Sequence, residues 1–189
     1  MKRIGLVGEA PSDVNSIANL LSKYNGSVQF LILLRNLRGS ELDNPKTKRL
    51  LRIEYESEKP DRVIFIRDLY SVEGKDDYER KSRERKKYFT VCNQIVDRKG
   101  IFLLNIYELE ALILADINKF NSRYNTDVVF DEDPTLCIEP KEFLKDQSGG
   151  KYNQSDNPDL FKLLDIEVVA KRCHYFGRFL KKLNKFVAH

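Results

Sequence analysis

Histidine and cysteine are scarce in this chain, and their scarcity excludes more chemistry than any single motif includes. There are two histidines, His174 and His189, and neither has a partner at the spacing of a metal site or a catalytic triad. Chemistry that depends on imidazole is therefore not expected. The three cysteines, Cys92, Cys137 and Cys173, are odd in number, far apart and without Cys-x-x-Cys spacing. A disulfide framework and a zinc knuckle are both disfavoured. Long apolar runs are missing too. A stretch such as Gln29-Phe30-Leu31-Ile32-Leu33-Leu34 falls far short of the ~20 residues that a membrane helix needs, and no leader or anchor is read at Met1-Lys2-Arg3. The expectation is a cytoplasmic protein without a membrane partner, whose chemistry must fall to carboxylates.

What is present fits one domain with a small appendage. In 189 residues, 41% are apolar, enough to bury a core, and 33% are charged, which describes a soluble surface. The net charge of +4 comes from 33 basic and 29 acidic residues, so it permits a polyanionic partner without requiring one. Charge placement has to decide.

Residues 3–7 read as a short buried strand and Gly8-Glu9-Ala10-Pro11 as a turn. Ser12 or Asp13 is the expected cap of a helix whose apolar side carries Val14, Ile17, Leu20 and Leu21. A second strand is expected at 28–34, a helix at 47–56, and a third strand at 62–66 with Asp68 just after it. A charged helix at 76–96 leads to a fourth strand at 101–106, then to an apolar helix at 107–116 that opens with acidic residues. Four continuously apolar strands alternating with helices predict a parallel sheet covered on both faces. Residues 1–117 thus read as an α/β domain with a four-stranded parallel sheet. Residues 118–189 read as an extension packed on it, irregular at first, with helices at 159–164 and from about 166 to 187.

In an open parallel sheet, functional groups gather outside the carboxyl ends of the strands. Here those positions are acidic: Glu9 after the first strand, Asp68 after the third, Glu108 and Glu110 after the fourth. Clustered carboxylates repel unless a hard cation joins them, and Mg²⁺ held through one or two carboxylates, waters and a substrate phosphate is the natural candidate. The alternative at each position is an acid favoured by a helix dipole alone, by about 0.3–1 kcal/mol. The final helix places Cys173, Phe176, Leu180, Leu183 and Val187 on one face and Arg178, Lys181, Lys182 and Lys185 on the other. The first set predicts core; the second predicts either phosphate contact or a solvated surface. The mixed charges of residues 75–87 favour an exposed helix with i,i+4 pairs. His174 reads as structural, and Tyr152 as either a substrate contact or a plain loop residue.

Gly8-Glu9-Ala10-Pro11-Ser12-Asp13 resembles the Glu-Gly-x-Thr-Glu/Asp turn that opens Toprim domains, the fold of topoisomerases, primases and overcoming-lysogenization-defect (OLD) nucleases. Val63-Ile64-Phe65-Ile66-Arg67-Asp68-Leu69-Tyr70 resembles their Asp-x-Asp strand end. Glu108-Leu109-Glu110-Ala111-Leu112-Ile113-Leu114-Ala115-Asp116 is the most specific piece, similar to a signature of small bacterial Toprim-like proteins. Pro140 to Leu144, Tyr152, Cys173, Phe176 and Phe179 match their tail, so the resemblance spans nearly the whole chain.

The resemblance implies a Rossmann-like Toprim fold and Mg²⁺- or Mn²⁺-dependent phosphodiester chemistry on DNA or RNA. Glu9 would be a general acid/base or ligand and Asp68 a catalytic metal ligand, with Glu108 and Glu110 added to the metal set. OLD-type relatives further imply an ABC- or SMC-like ATPase partner in anti-phage defence, and leave a homo-oligomer open. One departure matters: Tyr70 stands at the second Asp, so Glu73, Asp76, Asp77 or Glu108 would have to substitute. Three functions are in competition. They are a metal-dependent nuclease, a degenerate Toprim module that binds nucleic acid or an ATPase without cleaving, and a receiver- or phosphatase-like domain using Asp68. The third ranks last because no Asp-x-Asp-x-Thr/Val follows the first strand.

Overall fold

The computed structural model describes residues 1–35, 41–70 and 74–188, with the backbone alone at 74 and 75. The first part of the chain forms β1 (Lys2–Val7), α1 (Pro11–Leu20), β2 (Val28–Ile32), α2 (Pro45–Glu58), β3 (Arg62–Asp68), α3 (Gly74–Ile95) and β4 (Gly100–Asn105). The rest is helical: α4 (Ala111–Ala115), α5 (Ile117–Tyr124), α6 (Pro140–Gln147), α7 (Asn157–Leu163), α8 (Ile166–Arg172) and α9 (His174–Ala188). The four strands form one all-parallel sheet in the order β2-β1-β3-β4, flanked by helices in a Rossmann-like α/β arrangement. No helix among the described residues is long and apolar enough to cross a membrane.

The two-residue period of the strands builds two cores. Register pairs Leu6 with Ile64 and Ile64 with Ile101, so Ile4, Leu6, Ile64, Ile66, Ile101 and Leu103 enter one core. This broad face packs against α1 and the helices that follow β4, including the tail. The intervening residues Val7, Val63 and Phe65 enter a narrower core closed by Leu51 and Tyr55 of α2 and by Tyr88 and Cys92 of α3. Gly5 sits where a Cβ would lie 2.8 Å from the Leu33 side chain, so glycine lets that side chain close over β1. Residues beyond 117 contribute Phe120, Leu144, Phe161, Phe176 and Leu183 to the broad core, which makes the extension one body with the sheet.

Several boundaries differ from the sequence expectation. Neither Ser12 nor Asp13 caps α1: the N-cap is Ala10, without a side-chain bond, and Pro11 takes the first helical position, where its missing N–H costs nothing. β3 runs on to Asp68, so that carboxylate belongs to the strand. The helix expected at 107–116 shrinks to the five residues of α4. Tyr107 turns left-handed at φ 60°, and three-residue bonds from Ala111 N to Glu108 O (3.2 Å) and from Leu112 N to Leu109 O (3.0 Å) wind 108–112 into a tight turn. The stretch read as irregular contains α5 and α6. The single tail helix is two helices, broken at Cys173, which is extended (φ −99°, ψ 92°). Gly177 lets the elbow close, since a Cβ there would sit 2.6 Å from the Ala170 carbonyl oxygen.

Candidate functional site

α1 carries the chain from β1 to β2, while β3 lies on the other side of β1, so the carboxyl edge between β1 and β3 is the topological switch point of the sheet. Open α/β sheets form their crevice at such a point. Glu9 stands two residues beyond β1, and Asp68 ends β3. The register that pairs Val7 with Phe65 carries Arg67 to the level of Glu9, and Asp68 pairs with Asn105.

On the narrow-face side, Arg67 meets Glu9 in a buried ion pair whose contact is not aligned as a hydrogen bond; Arg67 is 3% exposed. Its guanidinium lies over the Tyr88 ring at 4.4 Å and 3.6 Å from Asp43, while Nη1 has no hydrogen-bond partner among the described residues. Arg85 ties the two edge acids together: Nη2 lies 4.0 Å from Glu9, and Nε donates to the backbone carbonyl of Asp68 (3.1 Å). Tyr70, at the second Asp position, is partly exposed, and its pKa is pushed up by burial and by the charges of Asp68 and Glu9.

On the broad-face side lie Asp13, Asp68 and Glu110, all buried. Asp68 accepts from Asn105 Nδ2 (2.7 Å) and from the Leu109 N–H (3.3 Å). Burial pushes its pKa well above the ordinary carboxylate range, and the charges of Asp13, Glu9 and Glu110 add to this against the opposing Asn105 bond. Asp13 is pushed up to about 7, first by burial and then by Glu110. Glu110 is pinned from the extension: Asn157 Nδ2 donates to its Oε1 (2.9 Å), and Tyr152 donates to Asn157 Oδ1 (2.6 Å). Tyr152 is therefore a buried structural residue. Two buried polar atoms here, Asn105 Oδ1 and the Tyr175 hydroxyl, lack hydrogen-bond partners among the described residues.

The edge thus gathers Glu9, Asp68 and Glu110 as the strand ends predict, and adds Asp13. Glu108 is half-buried and turns toward the start of α6, accepting from the Lys141 N–H at 3.4 Å, with its pKa raised by burial and by Glu110. Of the substitutes considered for the missing Asp, Asp77 pairs with Arg80 (2.6 Å) and Lys81 (3.0 Å), Asp76 is exposed on α3, and Glu73 lies outside the described residues. Among the described residues no three His, Cys, Asp or Glu side chains are arranged to hold a metal ion between them. Asp13, Arg67 and Asn105 are the site residues that sequence reasoning missed. Asp13 had a signal, its place four residues after Glu9 at the acidic end of the turn, and so did Arg67, a charge inside an apolar strand. On α9, Phe176, Leu180 and Leu183 are buried and Arg178, Lys181, Lys182 and Lys185 are exposed, as the helical spacing predicts.

These features define a Rossmann-like α/β protein with buried carboxylates at its switch point. A family model described as a domain of unknown function, DUF4276, matches residues 9–184, and the chain belongs to that family. No curated protein and no solved structure matches the chain.

Proposed function

We propose that the protein is a metal-dependent nuclease of Toprim type that hydrolyses phosphodiester bonds in DNA or RNA. The observation that carries this reading is the group Asp13, Asp68 and Glu110. These are three buried carboxylates at the switch point, none of them ion-paired with a basic side chain among the described residues. Buried uncompensated carboxylates are costly. A hard divalent cation relieves that cost, and an all-oxygen donor set suits Mg²⁺ or Mn²⁺. Asn105 Oδ1, buried and without a donor, is a further oxygen of the right kind.

Mg²⁺ needs only one or two carboxylates and completes its shell with water and phosphate, so a preformed three-ligand cage is not a requirement. Asp68, Glu110 and Glu9 are the residues that would hold the ion. When bound, it would supply charge stabilisation to the scissile phosphate and acidify a water. The chain's own groups supply the rest. Asp13, with a pKa near about 7, can hold or release a proton at neutral pH, which suits a general acid or base. Arg67 and Arg85 fix the position of Glu9.

The test incubates purified protein with single-stranded DNA, plasmid and tRNA in Mg²⁺, Mn²⁺ or EDTA, alone and with a partner ATPase of ABC or SMC type. Cleavage should require the metal and vanish in Asp68→Asn and Glu9→Ala. Cleavage that persists in EDTA or in both variants overturns the reading. The second reading, a module that binds without cleaving, is favoured by Tyr70 at the second Asp position and by the Arg67 ion pair on Glu9. Retained binding with no cleavage in any condition would select it.

A further inference from the structure

β4 is an edge strand, and the two helices flanking it, α3 and α9, leave a cleft of ≈ 270 Å³ along its edge. Among the described residues its charged lining is basic, Lys86 from α3 and Arg178 and Lys182 from α9, and the adjoining hollow on α3 that shares Tyr78, Ser82 and Lys86 adds Arg83 and Glu79. The α3 ion pairs engage Arg80, Lys81 and Arg85 and leave Lys86 out. Arg178 and Lys182 stand one helical turn apart, about 6 Å along the axis. Aromatic rings also line it: Tyr78 on α3 is 38% exposed and open to a base, whereas Phe102 on the strand is stacked on Phe89 (4.8 Å) and Phe179 on α9 is buried in the broad core.

The cleft also reaches the carboxyl end of β3: it touches Leu69, the residue after Asp68, and Tyr175, whose buried hydroxyl lacks a hydrogen-bond partner among the described residues. In the other direction Lys182 is shared with a second hollow, ≈ 610 Å³, that adds Lys2, Arg62 and Lys185 together with one acid, Asp61, at the amino edge of the sheet.

We propose that this cleft is a track for one unpaired strand of nucleic acid, entering along β4 toward the switch point; the proposal rests on the nuclease reading for what happens at the end of the track. Basic groups that follow a phosphate backbone, interleaved with rings on which bases stack, are the means by which proteins hold single strands without sequence preference. A duplex can meet the basic groups with its phosphates but cannot use a ring, because its bases are already stacked on one another. The exposed Tyr78 ring, on which a base can stack, favours a nucleic acid over an acidic polypeptide pairing with the β4 edge.

Fluorescence anisotropy in EDTA, where nothing is cut, reads the proposal with labelled oligomers of about 20 nucleotides, a single DNA strand, a single RNA strand and a blunt duplex, and with polyglutamate. The single strands should bind at least about tenfold more tightly than the duplex, and Lys86→Glu/Arg178→Glu should weaken them by about tenfold or more. Tyr78→Ala should weaken the single strands and leave the duplex alone. Lys46→Glu/Arg49→Glu on α2 makes the same charge change away from the cleft and should have little effect, and melting curves establish that every variant is folded. Tighter duplex binding, or single-strand binding unchanged by the cleft variants, overturns the track while leaving nucleic-acid binding standing. Binding of polyglutamate alone overturns it in favour of a polypeptide partner. Failure of the nuclease reading is seen separately, as intact single-strand binding that never proceeds to cleavage in Mg²⁺.

Discussion

The two sides of the carboxyl edge treat their acids in opposite ways. On the narrow-face side Glu9 has a permanent counter-ion: Arg67, buried with it and backed by Tyr88. On the broad-face side the donors to Asp13, Asp68 and Glu110 among the described residues are neutral: Ser12, the Asn105 and Asn157 amides, the Tyr152 hydroxyl and a backbone N–H. A carboxylate with a fixed cation is held in place. Carboxylates with none carry an electrostatic deficit that protons or an outside cation must meet.

Removing the fixed cation should have the largest effect. Arg67→Ala leaves buried Glu9 with only the more distant Arg85 (4.0 Å) as counter-ion, and urea unfolding should show a loss of about 3 kcal/mol. A loss below about 1 kcal/mol would mean that Glu9 is not held as described. The opposite change on the other side should stabilise. Because the folded-state pKa of Asp13 lies at about 7, above its ordinary 3.8, the native state binds the extra proton, and wild-type stability falls as pH rises from about 4 through about 7. Asp68 adds a loss of the same sign. Asp13→Asn should therefore raise stability at pH 8 by about 1–3 kcal/mol, and Asp68→Asn should act in the same direction, with the gain vanishing near pH 4. A destabilising effect at pH 8 would erase the contrast between the two sides.

A bound cation should act in the same direction on the unmodified protein. At ten times its Kd, Mg²⁺ should add about 1.4 kcal/mol, a rise of about 2–4 °C per kcal/mol in Tm at pH 8, and it should do nothing for Asp68→Asn. Equal shifts in both proteins would place the ion elsewhere. The smallest effect belongs to the surface: Lys181→Glu/Lys185→Glu should change stability by no more than about 0.5 kcal/mol while weakening nucleic-acid binding and flattening its salt dependence.

The alternation of apolar strands and helices, the parallel sheet and the acidic strand ends were legible because each follows from local pattern. The partners of those acids were not. Arg67 meets Glu9 only because β1 and β3 pair in one register, and Asn105 meets Asp68 only through the register of β3 and β4. The apolar stretch at 107–116 carried a correct composition and a misleading periodicity. The chain must turn back from β4 onto the broad face there, and the turn through Tyr107 takes residues that would otherwise have extended the helix. The break at Cys173 depends likewise on Gly177 fitting against Ala170, a contact no sequence period announces.

Glu110 is pinned by Asn157, itself bonded by Tyr152, both from the last fifty residues of the chain. Synthesis proceeds from the N-terminus, so Glu9, Asp13, Asp68 and Glu110 all leave the ribosome before the groups that fix the last of them. A nascent chain therefore carries every carboxylate of the pocket without a finished pocket. Completion waits for Tyr152 and Asn157 to fold back onto Glu110, and a product truncated before Tyr152 should lack that closure and be unstable.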